Sequence, residues 1–294
     1  MGGTLVALLA QLAVNGIIWG AFYALLGLSW NIIFCTTGIF HFAHALIFVA
    51  AGYAAVLITM TAGLPLVLGF VAAIVAAVLL GWALERGIYR PLRILGASHI
   101  VIFVASLGTL IFGEALALII FKPFPRRLLG FPGEAINIGE ITFTTLRFAT
   151  LVISYLAILG VWQFLKRTKS GKAIRAVGSN PEMAEALGID RDKVFLFVFA
   201  LGSALGGLAG VLYTLDNVAH PNMGIPLIFP AFIVTFVGGV GSIAGVVAAG
   251  LILGLAENIS QAWLDTDYMV MISFSILLAV IILKPRGIFG SRRQ

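Results

Sequence analysis

Long apolar runs broken by short polar connections set the pattern of this chain, and that pattern predicts its elements. Residues 1–84 carry no Lys, Arg, Asp or Glu at all. Apolar runs occupy 5–34, 46–60, 66–84, 99–121, 148–165, 194–215, 227–260 and 268–283. They are continuous rather than alternating, which predicts membrane-crossing α-helices and not barrel strands. Within 227–260, Gly238-Gly239-Val240-Gly241-Ser242 divides the run into two elements, spanning or re-entrant. The expectation is an all-α polytopic membrane protein of about eight to nine membrane elements, forming one transmembrane domain over 1–294.

One stretch breaks the pattern. Lys166 to Lys193, KRTKSGKAIRAVGSNPEMAEALGIDRDK, is a long polar run with seven basic and four acidic residues. It contains a helix signal. Asn180 can cap the free N–H groups of a first turn, Pro181 fits the first helical position, and Gly188 suits the stop. Between them Met183, Ala186 and Leu187 share one face, while Glu182 and Glu185 fall on another. Two roles are open for so short an amphipathic helix. It lies on lipid headgroups or its own bundle, or it docks a soluble partner.

Composition agrees with the membrane class. Apolar residues make up 61% of the chain, charged residues only 10%, and the mean hydropathy is +1.11. A soluble domain carries about a quarter charged residues. The net charge of +6 would suit nucleic acid, but the basic residues cluster beside apolar spans and orient the chain in a membrane instead. Connections 85–93, 166–193 and 284–294 hold 3, 7 and 4 basic residues, 14 of the 18. The others are Lys122, Arg126, Arg127 and Arg147. This bias predicts a cytoplasmic central loop and C-terminus and, counting back through uncharged turns, an outer N-terminus. The single cysteine, Cys35, forms no intrachain disulfide.

Candidate chemistry is sparse. There is no GxxxxGK[ST], HExxH, GxSxG or Cys/His cluster, so no catalytic residues, metal site or cofactor are expected in this chain. His41 and His44, close to Gly38, are candidates for hydrogen bonding within the bundle or for lining a polar path. Asn15 and Thr235 join them as candidate path residues. Glu114 falls mid-segment and is expected to be protonated, partnered or facing a cavity, whereas Glu257 lies near a segment end and is expected to reach water. So few ionisable groups lean away from the competing class, a self-contained ion-coupled secondary transporter or channel. Glycines spaced by four (Gly202, Gly206 and Gly210; Gly241 and Gly245; Gly250 and Gly254) predict close helix packing. The tetrapeptides Arg86-Gly87-Ile88-Tyr89 and Arg286-Gly287-Ile288-Phe289, followed by Arg93 and Arg293, hint at an internal repeat.

Six motifs in order carry a family resemblance: Asn15-Gly16 with Tyr23-Ala24-Leu25, GIFHFAH at 38–44, Glu85-Arg86 with Tyr89-Arg90-Pro91, GSNPEMAEALGID at 178–190, VGGVGS at 237–242 and PRGIFG at 285–290. Together they resemble the branched-chain amino-acid ABC transporter permeases, the LivH-type subunit most closely. The resemblance implies a bacterial inner-membrane subunit of an ATP-driven importer, moving a branched-chain or other hydrophobic amino acid, or a related compound, by alternating access. It implies as partners two ATP-binding subunits that bind and hydrolyse the ATP, a second homologous permease or second copy, a periplasmic substrate-binding protein and membrane lipid. Nucleic acid is not among them. It also implies that Asn180, Pro181, Glu182, Met183, Ala186, Leu187 and Gly188 form a coupling helix docking on an ATP-binding subunit. One departure stands out. The family usually reads Asn-Phe-Ala-His-Gly-Glu where this chain has His41-Phe42-Ala43-His44-Ala45-Leu46. The loss of the acidic group keeps urea, an amide or an aromatic acid open as alternative solutes.

Overall fold

Residues 2–128 and 133–290 are described by the computed structural model. Its helices are α1 (Gly2–Thr37), α2 (His44–Val56), α3 (Leu66–Leu84), α4 (Arg90–Ile94), α5 (His99–Phe121), α6 (Thr145–Arg167), α7 (Lys169–Ser179), α8 (Pro181–Ala186), α9 (Arg191–Asp216), α10 (Gly224–Gly238), α11 (Ile243–Ser260) and α12 (Met269–Leu283). π-helical turns at Leu57–Thr61 and Glu85–Tyr89 extend α2 and α3. Short antiparallel pairs join β1 (Arg126–Arg127) to β4 (Val218–Ala219) and β2 (Ala135–Ile138) to β3 (Ile141–Thr144). Among the described residues, 8 helical stretches are long and apolar enough to cross a membrane, and α10 is a shorter apolar helix containing Pro230. The chain is a polytopic helical membrane protein.

Two stretches expected as loop are helical. Residues 85–93 continue the preceding span, which runs from Leu66 to Ile94. The polar residues there have no need to leave the helix, because Arg93 donates to both oxygens of the buried Glu85 carboxylate and Tyr89 turns inward. Within the central polar run, α7 precedes the expected short helix. Thr168 caps it by accepting from the Gly171 N–H at 2.9 Å, and Gly171, Ile174 and Val177 form its buried face. Lysines and an arginine on the other face hide that period in the sequence.

The chain forms two compact units. In the one built from residues 29–130 and 160–229, α2, α3 and α9 enclose a core that includes Ile47, Tyr53, Ala73, Ala77, Val211 and Met223. The Gly202–Gly206–Gly210 ridge brings the α9 backbone against its neighbours. A Cβ at Gly202 would lie 2.7 Å from the Ser29 carbonyl oxygen, and one at Gly210 would lie 2.7 Å from that of Phe48.

The other unit is built from residues 1–28, 131–159 and 230–294. Here α1 and α11 cross backbone against backbone on facing glycines. A Cβ at Gly16 would meet Leu255 Cα at 2.9 Å, and one at Gly250 would meet the Gly20 carbonyl at 2.6 Å. Gly241, expected in such a ridge, sits instead in the turn between α10 and α11, at φ 82°. That turn is held by the C-terminal PRGIFG segment, since the Ile288 N–H donates to the Val237 carbonyl at 2.8 Å and Phe289 donates to Gly238 at 3.1 Å. The two Arg-Gly-Ile-aromatic tetrapeptides therefore fold differently, one as a π-helical turn and one as a tight turn with Gly287 at φ 81°. Arg293 lies outside the described residues.

Candidate functional site

The short helix α8 is built as its residues dictate. Asn180 Oδ1 accepts from the Met183 N–H at 3.0 Å, Pro181 opens the helix, and Gly188 ends it at φ 82°, a left-handed value that disfavours any residue with a Cβ. Ala184, 2% exposed, is the residue that seats the helix. Met183 is 58% exposed and Leu187 75% exposed, and Glu182, Glu185 and Ala186 are exposed as well. The apolar face at Met183 and Leu187 therefore points away from the unit that carries α8.

Charged residues missed in the sequence brace the surroundings of α8. Arg90 Nε meets Asp192 Oδ2 at 2.8 Å, and Arg93 lies 3.8 Å from the other oxygen of Asp192 while holding Glu85. The Arg93 and Arg191 guanidinium carbons lie 4.7 and 5.0 Å from the centre of the Phe195 ring. Asp190 caps α9. The Lys193 backbone N–H, at 3.0 Å, and its ammonium, at 3.1 Å, hold the Asp190 carboxyl below its ordinary range. Arg90 and Asp192 lie 102 residues apart, so no local pattern marks that pair.

In the same unit the fold brings His41 and His44 together, with ring centroids 5.2 Å apart and neither side chain exposed. His41 Nδ1 lies 2.7 Å from the Tyr89 hydroxyl, which donates to Ser106 Oγ at 3.0 Å; that oxygen also accepts from the Ala43 N–H at 3.0 Å. His44 Nε2 lies 3.0 Å from Ser29 Oγ. Both imidazoles thus hydrogen-bond within the bundle, one of the two roles open from the sequence. Each keeps one nitrogen, His41 Nε2 and His44 Nδ1, buried without a partner.

The remaining path candidates lie in the other unit. Thr235, fully buried, donates to the Gly27 and Ala231 carbonyls at 3.1 and 2.9 Å. Asn15 is half-buried and accepts from Gln11 at 3.3 Å, and Gln11 in turn bonds both the N–H and the C=O of Thr142 at 2.8 Å. Glu257 does not reach water as its position in the sequence suggested. It is 4% exposed, accepts from the Tyr23 hydroxyl at 2.6 Å, and is bonded by Ser273. Two hydroxyl donors replace the water that a position near a segment end would supply. Glu114 is half-buried, with Oε1 unpartnered. Among the described residues no group of three or more His, Cys, Asp or Glu could hold a metal ion.

A multi-span helical protein with a capped, outward-facing amphipathic helix between two of its spans has the build of a membrane permease. Residues 12–281 match the family described as "Branched-chain amino acid transport system / permease component", and the chain belongs to that family. It is 31% identical to the high-affinity branched-chain amino acid transport system permease protein LivH of Escherichia coli K12, over 95% of each chain. It is 29% identical to the corresponding permease protein BraD of Pseudomonas aeruginosa, again over 95% of each. Its fold is similar to that of PsaBC from Streptococcus pneumoniae, solved in complex with a Fab, with a TM-score of 0.53 and 16% identity over 94% of this chain and 92% of that one.

Proposed function

We propose that this chain is the membrane-spanning permease subunit of an ATP-driven importer of branched-chain or related hydrophobic amino acids in the bacterial inner membrane. Membership of the family and likeness to LivH and BraD over nearly the whole chain support the solute class. The observation that carries the coupling role is the apolar face of α8, exposed at Met183 and Leu187 on a capped and braced helix. In this reading the central loop 166–193 and the C-terminus face the cytoplasm, consistent with their basic residues. Asn180 to Gly188 then dock on one of two ATP-binding subunits, which carry out all ATP hydrolysis. A second permease, homologous or identical, completes the membrane part, and a periplasmic binding protein delivers solute.

Transport proceeds by alternating access. The solute meets Asn15, His41, His44 and Thr235 in passing, and the unpartnered His41 Nε2 and His44 Nδ1 are the atoms left for water or solute. The test is uptake into proteoliposomes containing the complete importer. Expected is L-leucine uptake that requires both ATP and the binding protein and is competed by L-isoleucine and L-valine. Competition by urea, acetamide or benzoate instead would overturn the solute class, and uptake driven by an ion gradient without ATP would overturn the importer class.

A further inference from the structure

Exposed apolar residues of α3 form one stripe. Val67, Val71, Val75, Leu79 and Trp82 recur at steps of three and four and are 43–72% exposed, so the stripe faces lipid. Arg86 is the next residue on it, in the π-helical turn that extends α3, and its guanidinium carbon lies 5.6 Å from the centre of the Trp82 ring. The same pairing recurs at the end of α6, where Lys166 Nζ lies 4.8 Å from the centre of the Trp162 ring, itself 42% exposed. These helices are the third and fifth membrane-crossing stretches and run in the same direction. Both pairs therefore mark one boundary between hydrocarbon and headgroups.

At that boundary Arg86 lines a cavity of about 400 Å³ between the extension of α3 and the start of α9, within the range of about 300–1,000 Å³ usual for ligand sites. Its other charges are committed. Arg90 meets Asp192 at 2.8 Å, Lys193 meets Asp190 at 3.1 Å, and Glu85 is taken by Arg93. Of the charged residues on the wall, Arg86 takes part in no ion pair among the described residues, so the wall and its partners keep one net positive charge. The cations are within reach of a ligand: Arg86 is exposed, and the side chains of Arg90 and Lys193 are 41% and 84% exposed. The matching ligand carries one net negative charge on several acceptor oxygens, with a hydrocarbon part to lie along the α3 stripe. We propose that the cavity holds the phosphodiester of an anionic phospholipid of the cytoplasmic leaflet, seated on Arg86 with its acyl chains along Trp82, Leu79 and Val75. A zwitterionic lipid brings an ammonium as well, and every carboxylate of the wall is already engaged. The choice of leaflet rests on the proposed sidedness; the headgroup site does not.

The test is quenching of Trp82 fluorescence by phospholipids brominated on their acyl chains, with the complete importer in nanodiscs. The Trp82 signal is the difference between the parent protein and Trp82→Phe. Expected is quenching by brominated phosphatidylglycerol, in a phosphatidylcholine background, with an apparent affinity about fivefold above that of brominated phosphatidylcholine. Arg86→Gln removes the preference, and Arg86→Lys, which keeps the charge, retains most of it. Inorganic phosphate in excess over the lipid leaves it unchanged. Equal quenching by the two lipids overturns the proposal, as does a preference undiminished in Arg86→Gln. Loss of the preference to inorganic phosphate would make the free anion the occupant, and absence of quenching by either lipid would put a protein partner over Trp82; each overturns the lipid site. If Arg86→Gln fails to assemble, the two lipids compared on the parent protein still decide. ATP-dependent leucine uptake by the same importer in vesicles is read separately. Uptake retained without the lipid preference overturns the lipid site alone, and absence of uptake with the preference intact overturns the substrate class alone.

Discussion

Replacing Leu187 by Asp tests docking through α8 most directly. Leu187 is 75% exposed and Met183 58% exposed, and full burial of such a side chain contributes about 1.5–3 kcal/mol. Covering the exposed parts on docking therefore contributes about 1–2 kcal/mol at each residue before the costs of association. Leu187→Asp forfeits the leucine share and leaves a carboxylate desolvated against the partner, adding about 1–3 kcal/mol. The sum is about 2–5 kcal/mol, a weakening of roughly 30-fold at its lower end. The side chain does not help to seat α8, a task that falls to Ala184, so insertion and yield should stay at wild-type level. Tagged ATP-binding subunits are co-purified with each variant, and the ATPase rate is followed as solute-loaded binding protein is added. Leu187→Asp is expected to lose both recruitment and stimulation. Undiminished recovery of the ATP-binding subunits would leave α8 a helix on the lipid surface and end the docking idea.

Three further expectations are open to experiment. With Cys35 replaced, single cysteines at Ser170 and Gly133 should react from opposite faces of the membrane, and labelling of both by an impermeant reagent outside intact cells would overturn the proposed sidedness. His44→Ala should lower leucine uptake several-fold while the subunit still assembles with its ATP-binding partners. Normal uptake by a well-expressed variant would remove His44 from the path. Glu85→Gln leaves Arg93 only its 3.8 Å contact with Asp192 in place of the buried ion pair and should cost about 1.5–3 kcal/mol. That cost is read as a lower unfolding temperature in detergent, largely restored by pairing Glu85→Gln with Arg93→Met, and a single variant as stable as the parent would show the pair to be dispensable.

Much was legible in the sequence because the strongest constraints on a membrane chain are local. A span must be apolar over its own length and bond its own backbone, so the runs at 99–121 and 66–84 mark α5 and α3 without reference to the rest of the chain. The ends of α8 were equally legible, since a cap, a first-turn proline and a left-handed glycine act through neighbours in sequence: Asn180, Pro181 and Gly188 do what their chemistry dictates. What the tertiary structure alone decided concerns polar groups whose partners are distant. Arg90 is met by Asp192, 102 residues away, and Glu257 remains dry because Tyr23, 234 residues away, and Ser273 satisfy it. His41 and His44 stand three residues apart in the sequence, but their partners Tyr89 and Ser29 come from other parts of the fold. Desolvating a charge or an imidazole is tolerated only where a partner is supplied, and one-dimensional periodicity states where a residue faces without stating what it meets there.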